Sequence, residues 1–264
     1  MRRNIVITMP VLATDQLHYD FTKEALESVR TSHPFEFVLV INNEVENQYS
    51  KSVESLASYI VKNPKGNNVS AGWNIGIRYA FEQLRADYVI VSNNDVLYHE
   101  KCIDNLVNFA EEHKDFVMWT STPHNNFRER EMMEAKNTFA PHPCFSCFML
   151  SPKSIDMMKK VEEKTSEPFP GYFDENYIVA YFEDQDYHQR ILRAGFQSGM
   201  THSSLFYHYG SRTIAVDDTL RANNSQNYEH NRKYFEKKWG YDSHGKAPTN
   251  EERVSWGYKN AFNK

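Results

Sequence analysis

The sequence has little cysteine. Three thiols in 264 residues, an odd number, cannot build a disulfide framework, so a reducing compartment is the natural setting. It has no long apolar run either; nothing approaches the roughly 20 residues that a membrane-spanning helix needs. Met1-Arg2-Arg3 begins like a secretory signal, but the apolar stretch behind it is short and broken by Pro10 and Asp15, which argues against export. The expectation is a cytoplasmic protein, at most peripheral to the inner face of a membrane, or in the host cytoplasm if the source is viral. An excess of positive charge is also missing. With a net charge of −5 and a pI near 6.1, no global field draws the chain to nucleic acid. Glycine is absent where a phosphate loop would want it. Residues 9–14, Met-Pro-Val-Leu-Ala-Thr, contain none, which counts against a nucleotidyltransferase built on a Gly-rich loop. No repeat, linker or low-complexity tract is visible.

What is present is an ordinary globular balance, 40% hydrophobic and 25% charged, with a high aromatic share of 14%. Such a share suits a large core and a concave surface lined with rings. Periodicity predicts strands at 4–9, 35–41, 60–61 and 88–91, with Pro10 stopping the first. Helices are predicted at 15–30, 48–59 and 71–84. This alternation predicts a mostly parallel sheet with helices on both sides. Further on, helices are expected at 102–113, 152–162, 182–194 and 226–239, and strands at 116–120, 144–150 and 205–209. Residues 123–143 carry many charges and no period, so they read as a long functional excursion. Residues 241–264 read as a polar tail.

The organising stretch is residues 87–96, Asp-Tyr-Val-Ile-Val-Ser-Asn-Asn-Asp-Val. A short β-branched and aromatic run ends abruptly in short amides and a carboxylate. In an open α/β sheet, ligands bind at the carboxyl ends of strands, and a carboxylate there suits a hard divalent cation carrying phosphates. The ordinary alternative is a strand followed by an Asx-type turn. Four more polar clusters stand at predicted strand ends or helix starts: 42–44, 67–74, 183–186 and 208–212. One alone is a turn; five at one sheet edge would form a site. His142 with Cys144 and Cys147 does not make a structural zinc centre, because no second Cys pair exists to complete four ligands.

Taken in order, these clusters carry a resemblance. Ile41-Asn42-Asn43, then Asn68 to Gly76 (N-V-S-A-G-W-N-I-G), Asn93-Asn94-Asp95, Phe173-Asp174-Glu175, Glu183-Asp184-Gln185-Asp186 and a late His208 follow one another. Arg232-Lys233-Tyr234-Phe235 and Lys237-Lys238-Trp239-Gly240 close the series. The chain resembles the nucleotide-sugar-dependent glycosyltransferases of family 2, with the α/β fold called GT-A, on the branch that includes bacterial rhamnosyltransferases. The likeness covers roughly residues 4–240. It implies one GT-A domain over 1–240, with 1–98 as the nucleotide-sugar-binding half and 99–240 as the acceptor and catalytic half.

The resemblance also implies roles. Asp95, with Asn93 and His208, would hold Mn²⁺ or Mg²⁺ on the donor diphosphate; Asn93 stands where the family's commonest motif has a second carboxylate. Asp184 would be the general base, Glu183 would position the acceptor or Asp184 itself, and Asp174 is the runner-up base. Asn42 stands where the family usually has an Asp that reads the base or ribose. Asn43, Asn74, Asn94 and Gly72 would lie on the nucleotide sugar, Pro10 and Thr14 would wall the base pocket, and Arg212 would reach phosphate oxygens. The ordinary readings are helix capping for the acids, a structural hydrogen-bonded imidazole for His208, helix packing for the glycine, and a solvated loop charge for Arg212.

The activity implied is inverting transfer of a sugar from a UDP-, dTDP- or GDP-linked donor to a hydroxyl. The acceptor stays open: a surface polysaccharide or glycolipid first, a hydroxylated DNA base second, a protein third. Its site would be built by 123–143 and 168–182; Tyr172, Phe173, Tyr177, Tyr181 and Phe182 read mostly as core, with one or two of them stacking on a sugar or acceptor ring. A non-catalytic nucleotide- or sugar-binding module is the rival from another class, and the joint presence of Asp95, Asp184 and His208 argues against it.

Overall fold

The structure is a computed structural model, and it describes residues 2–124, 137–139, 143–210 and 218–240. The first half alternates as the sequence predicts. Strand β1 (Ile5–Val11) leads to helix α1 (Gln16–Ser28), β2 (Phe35–Ile41), α2 (Gln48–Val53), β3 (Tyr59–Lys62), α3 (Val69–Arg78) and β4 (Tyr88–Ser92). Local signals set the helix starts. Asp15 accepts from the His18 amide at 3.0 Å, and Asn68 from the Ala71 amide at 2.8 Å. Asn47 and Ser50 form a capping box on α2. In each case a short polar side chain satisfies an amide that has no partner within its helix.

Strands β1, β2, β3 and β4 pair in parallel. β1 runs through Pro10 rather than stopping there. Its pairing with β4 ends at Thr8↔Val91, while its pairing with β2 continues to Val11↔Ile41. At position 10 the strand therefore has a neighbour on one side only, where a residue without an N–H is tolerated.

The second half departs from the mostly parallel expectation. It contributes β5 (Val96–Tyr98), α4 (Cys102–Glu112), β6 (Met118–His124), β7 (Asn137–Phe139), β8 (Cys147–Leu150), α5 (Pro152–Glu162), α6 (Glu183–Arg193), β9 (Ser198–His208) and a last helix, α7 (Asp218–Trp239). β8 inserts antiparallel between β4 and β6, and β5 and β7 run antiparallel to β9, while β6 and β9 are parallel. The order β3-β2-β1-β4-β8-β6-β9-β5, with β7 also on β9, is a mixed sheet. β9 is longer than the predicted 205–209 because its first half serves β6 and β7 and its second half serves β6 and β5.

Apolar side chains bury on both faces. Residues of α1 and α4 join one core with alternate residues of β1, β2 and β4; α3, α5 and α6 join the other. A smaller cluster of Tyr177, Phe182, Phe235 and Trp239 ties α7 to the segment before α6. Gly76 lets α3 lie close on β1: a Cβ there would stand 2.0 Å from Thr8 Oγ1. No described helix is long and apolar enough to cross a membrane.

Candidate active site

Parallel strands β1, β2 and β4 end at one edge of the sheet, and a cavity of about 340 Å³ opens there. All five polar clusters send residues to its wall: Asn42; Asn67; Asn93, Asn94 and Asp95; Glu183, Asp184 and Gln185; and His208. Pro10 and Leu12 line it from the end of β1.

Sheet register creates the tightest group. Asn93-Asn94-Asp95 links β4 to β5, and β5 pairs with β9 so that Val96 opposes His208. That register sets His208 Nε2 at 3.2 Å from Asp95 Oδ1 and 3.4 Å from the Asn93 side-chain amide. The other ring nitrogen lies 3.3 Å from Ser146 Oγ. Carboxylate, imidazole and amide converge on one point beside the cavity. Their spacing suits adjacent ligands of an octahedral divalent ion with bonds of about 2.1 Å.

A second acidic group looks like a metal site and is not one. Glu167, Asp174 and Asp186 have oxygens close enough to share an ion. The Lys238 ammonium already sits among them, at 2.8, 2.9 and 2.9 Å respectively. Arg190 adds a guanidinium nitrogen 3.1 Å from Asp186 and another 3.1 Å from Glu162. Burial works against the ammonium, but Asp186, Glu167 and Asp174 outweigh it and hold Lys238 above the ordinary lysine value. The triad is half of a buried ion-pair network joining α7 to α6.

Glu183 and Asp184 begin α6 at the cavity wall. Glu183 is 5% exposed and its Oε2 has no hydrogen-bond partner. Burial first, then the charge of Asp184, pushes the Glu183 carboxyl well above the usual range. Burial also raises Asp184, against the pull of the Gln185 amide at 2.8 Å. Neighbouring carboxyls with unequal environments divide acid and base character between them. Among the described residues the wall carries no Lys or Arg.

Several predicted residues fall elsewhere. Asp174 is 0% exposed, off the cavity, and engaged by Asn176, Tyr234 and Lys238, the contacts of a structural ion-pair partner. Asn74 is also 0% exposed. It donates to the Phe173 carbonyl and Glu175 at 2.8 Å each and accepts from the Phe173 amide at 2.9 Å, so its amide pins the 173–175 turn to α3 rather than meeting a nucleotide. Asn43 clamps both backbone groups of Ala13 at 3.0 and 2.9 Å, and Thr14 turns to His18 at 3.1 Å. Both brace the loop after β1 and stay off the cavity. Gly72 packs α3 against the sheet, since a Cβ there would stand 3.0 Å from both Pro10 and Asn42. Arg212 and most of residues 123–143 lie outside the described residues.

Other wall residues carried only a coarse signal in sequence, 168–182 being expected broadly on the acceptor side. Val179, Ala180, Tyr181 and Phe182 line the cavity just before α6, and Tyr228 reaches it from α7. Val179, Tyr181 and Phe182 have φ of +60°, +82° and +72°. Side-chain-bearing residues seldom adopt that region, and no local pattern predicts it. Tyr181 and Phe182 read as core by their chemistry, and Tyr228 was hidden in a polar helix.

A mannosyltransferase from Pyrobaculum calidifontis, solved in complex with GDP-Man and Mn²⁺, has a similar fold. Its TM-score is 0.58 at 13% identity, over 96% of this chain and 68% of that one. At that identity the likeness is one of architecture, and it confirms the GT-A-type α/β fold. A galactofuranosyl glycosyltransferase of Leishmania donovani is 22% identical over 236 residues, covering 71% of this chain. The chain spans about half the length of that relative, 54%. Residues 9–173, from the end of β1 through the turn that Asn74 holds, match the model of glycosyl transferase family 2. Strand ends, turn amides and sequence model thus agree, and the chain belongs to glycosyl transferase family 2.

Proposed function

We propose that the chain moves a sugar from a nucleoside-diphosphate donor to an acceptor hydroxyl in one inverting displacement. The observation that carries this reading is the cavity's charge. Three carboxyl groups and no described Lys or Arg face it, so the described wall offers no cation of its own to a diphosphate. Asp95 and His208, with Asn93, would hold a divalent Mn²⁺ or Mg²⁺, and such an ion neutralises the charge that builds on the leaving phosphate. Asn42 and Pro10, at the ends of β2 and β1, would meet the nucleoside, and Asn94 would stand beside the diphosphate. Asn42 Oδ1 already accepts from Asn63 at 3.0 Å, which leaves its NH₂ as the group that reads the base.

Asp184 would take the acceptor proton as the hydroxyl attacks the anomeric carbon. Its raised pKa brings it nearer to working pH, where a general base is most effective. Glu183, held further above its usual range by burial, would leave Asp184 as the more readily ionised member of the pair. The acceptor is best read as a glycan or glycolipid. Tyr181 and Tyr228 line the cavity, aromatic rings suit a sugar, and the acidic wall suits a DNA backbone poorly. One sheet running through both halves supports treating 1–240 as a single catalytic unit.

The test is a panel of UDP-, dTDP- and GDP-sugars screened for Mn²⁺- or Mg²⁺-dependent thermal stabilisation and for turnover. Wild type is expected to respond to one donor class only with metal present. Asp95→Ala should lose that response, and Asp184→Asn should keep it while losing turnover by 10²-fold or more, within the range of general-base catalysis of about 10²–10⁴. Metal-independent donor binding by wild type, or full turnover by Asp184→Asn, would overturn the assignment.

A further inference from the structure

Helix α6 carries Glu183 and Asp184 into the cavity on strained backbone. The left-handed φ values of Val179, Tyr181 and Phe182 cost energy, most of all at a β-branched valine, and persist only where the surroundings over-determine them. A single side chain does most of this. Asn231 of α7 is 0% exposed. Its Oδ1 accepts from the Ile178 amide at 2.8 Å. Its NH₂ donates to the carbonyls of Ile178, Ala180 and Tyr181 at 2.8, 2.9 and 3.2 Å. Among the described residues the Val69 amide also donates to the Val179 carbonyl at 2.9 Å.

The helix supplying Asn231 is itself fixed to α6. Phe235 packs on Phe182 with ring centroids 5.5 Å apart. Trp239 Nε1 donates to Asp186 at 3.0 Å, beside the Lys238 contacts described above. Positions 228, 231, 235 and 238 recur at three- and four-residue steps and so share one face of α7. That face meets the cavity wall, the strained backbone, the first turn of α6 and its buried acids in turn.

We propose that Asn231 is a positioning residue for sugar transfer: by clasping residues 178–182 it sets where Glu183 and Asp184 stand against the cavity. This rests on the transfer reading above. Asn231 does not line the cavity, so it acts only through the backbone it holds. The amide is specific to the task, because four backbone groups need one acceptor and an NH₂ together. Alanine leaves all four without that partner, and aspartate turns an acceptor toward three carbonyls.

The experiment compares wild type, Asn231→Ala, Asn231→Asp and Leu106→Ala, the last a buried core residue of α4 that serves as a matched destabilised control. Two readouts are taken on folded protein. The first is steady-state hydrolysis of the nucleotide-sugar panel with Mn²⁺ and water as acceptor, resolved into kcat and KM. The second is amide hydrogen exchange over residues 178–184. Both Asn231 variants are expected to keep donor KM within about threefold and to lose kcat by about 10²-fold, the scale of an ångström-level misplacement. They should also lose protection at 178–184. Leu106→Ala should keep both kcat and that protection. If Asn231→Ala fails to fold, Asn231→Asp, which keeps the size of the side chain, carries the comparison. Retained kcat in a folded Asn231 variant, or a kcat loss matched by Leu106→Ala, overturns the proposal. Inactivity of wild type toward every donor defeats the transfer reading instead. Unchanged exchange at 178–184 in the Asn231 variants then defeats the clasp, and lost protection there upholds it.

Discussion

Replacing Lys238 with methionine separates the ion-pair reading of the acidic triad from any other. The side chain keeps its apolar stem and loses its charge. Three contacts of 2.8–2.9 Å disappear, and Asp174 and Asp186, both 0% exposed, stay in place. Arg190 remains beside Asp186 and Glu162, but Asp174 is left with only Asn176 and Tyr234. Removing one partner of a buried pair costs about 3–5 kcal/mol. For a chain of this size each kcal/mol shifts Tm by roughly 2–4 °C, so the expected loss is on the order of 10 °C at pH 7.5. The pH dependence follows from Asp174. Burial raises its pKa, but the charge and hydrogen bond of Lys238, with Asn176 and Tyr234, outweigh burial and hold it below the ordinary value. In the wild type that stabilisation is present above the unfolded pKa of about 3.9 and is lost as pH falls through the depressed folded value. In Lys238→Met burial dominates, the folded pKa rises above the unfolded one, and the variant recovers as acid protonates Asp174. Urea denaturation at pH 7.5 and 5.0 should therefore show a gap that narrows on acidification. A gap under about 1 kcal/mol at pH 7.5 would refute the network, as would one that widens at pH 5.0.

Two further outcomes are expected. Gly76→Ala would drive a methyl to within 2.0 Å of Thr8 Oγ1, an overpacking cost of about 1–3 kcal/mol; adding Thr8→Ala should return part of it in the same denaturation assay. Glu183→Gln should raise Tm at pH 7.5 by a few degrees while lowering turnover. Glu183 has a raised folded pKa, so wild type loses stability as pH climbs from the unfolded value of about 4.3 toward the folded one. The gain should vanish below pH 4, and a gain that persists there would show that the carboxyl's ionisation is not the cause.

Much of the first half was legible because its signals are local. Alternating periods gave β1 to β4 with the helices between them, and Asp15 and Asn68 stand at helix starts as capping chemistry requires. The polar clusters at strand ends were legible too, since parallel strands that share one sheet must finish at one edge. The order of short motifs was enough to suggest the family.

Which amides serve the cavity was not legible. Asn42 and Asn74 are chemically alike and stand in similar motifs, yet one faces the cavity and the other spends its whole amide on the 173–175 turn. The same holds for Asp174 and Asp184. A carboxylate's role depends on what stands within 3 Å of it, and Lys238 comes from a helix 64 residues away along the chain. The meeting of Asp95 with His208 depends on β5 pairing with β9 across 113 residues. The left-handed residues Val179, Tyr181 and Phe182 lie on the segment that Asn231 holds by hydrogen bonds, and the polar neighbours of Asn231 in sequence give no hint of its burial. Sequence by itself determined the strands and helices of the first half and suggested the family. Only the tertiary structure decided which polar groups are consumed in holding the chain together and which remain for chemistry, because hydrogen bonds and ion pairs between distant segments are fixed by register and packing rather than by local propensity.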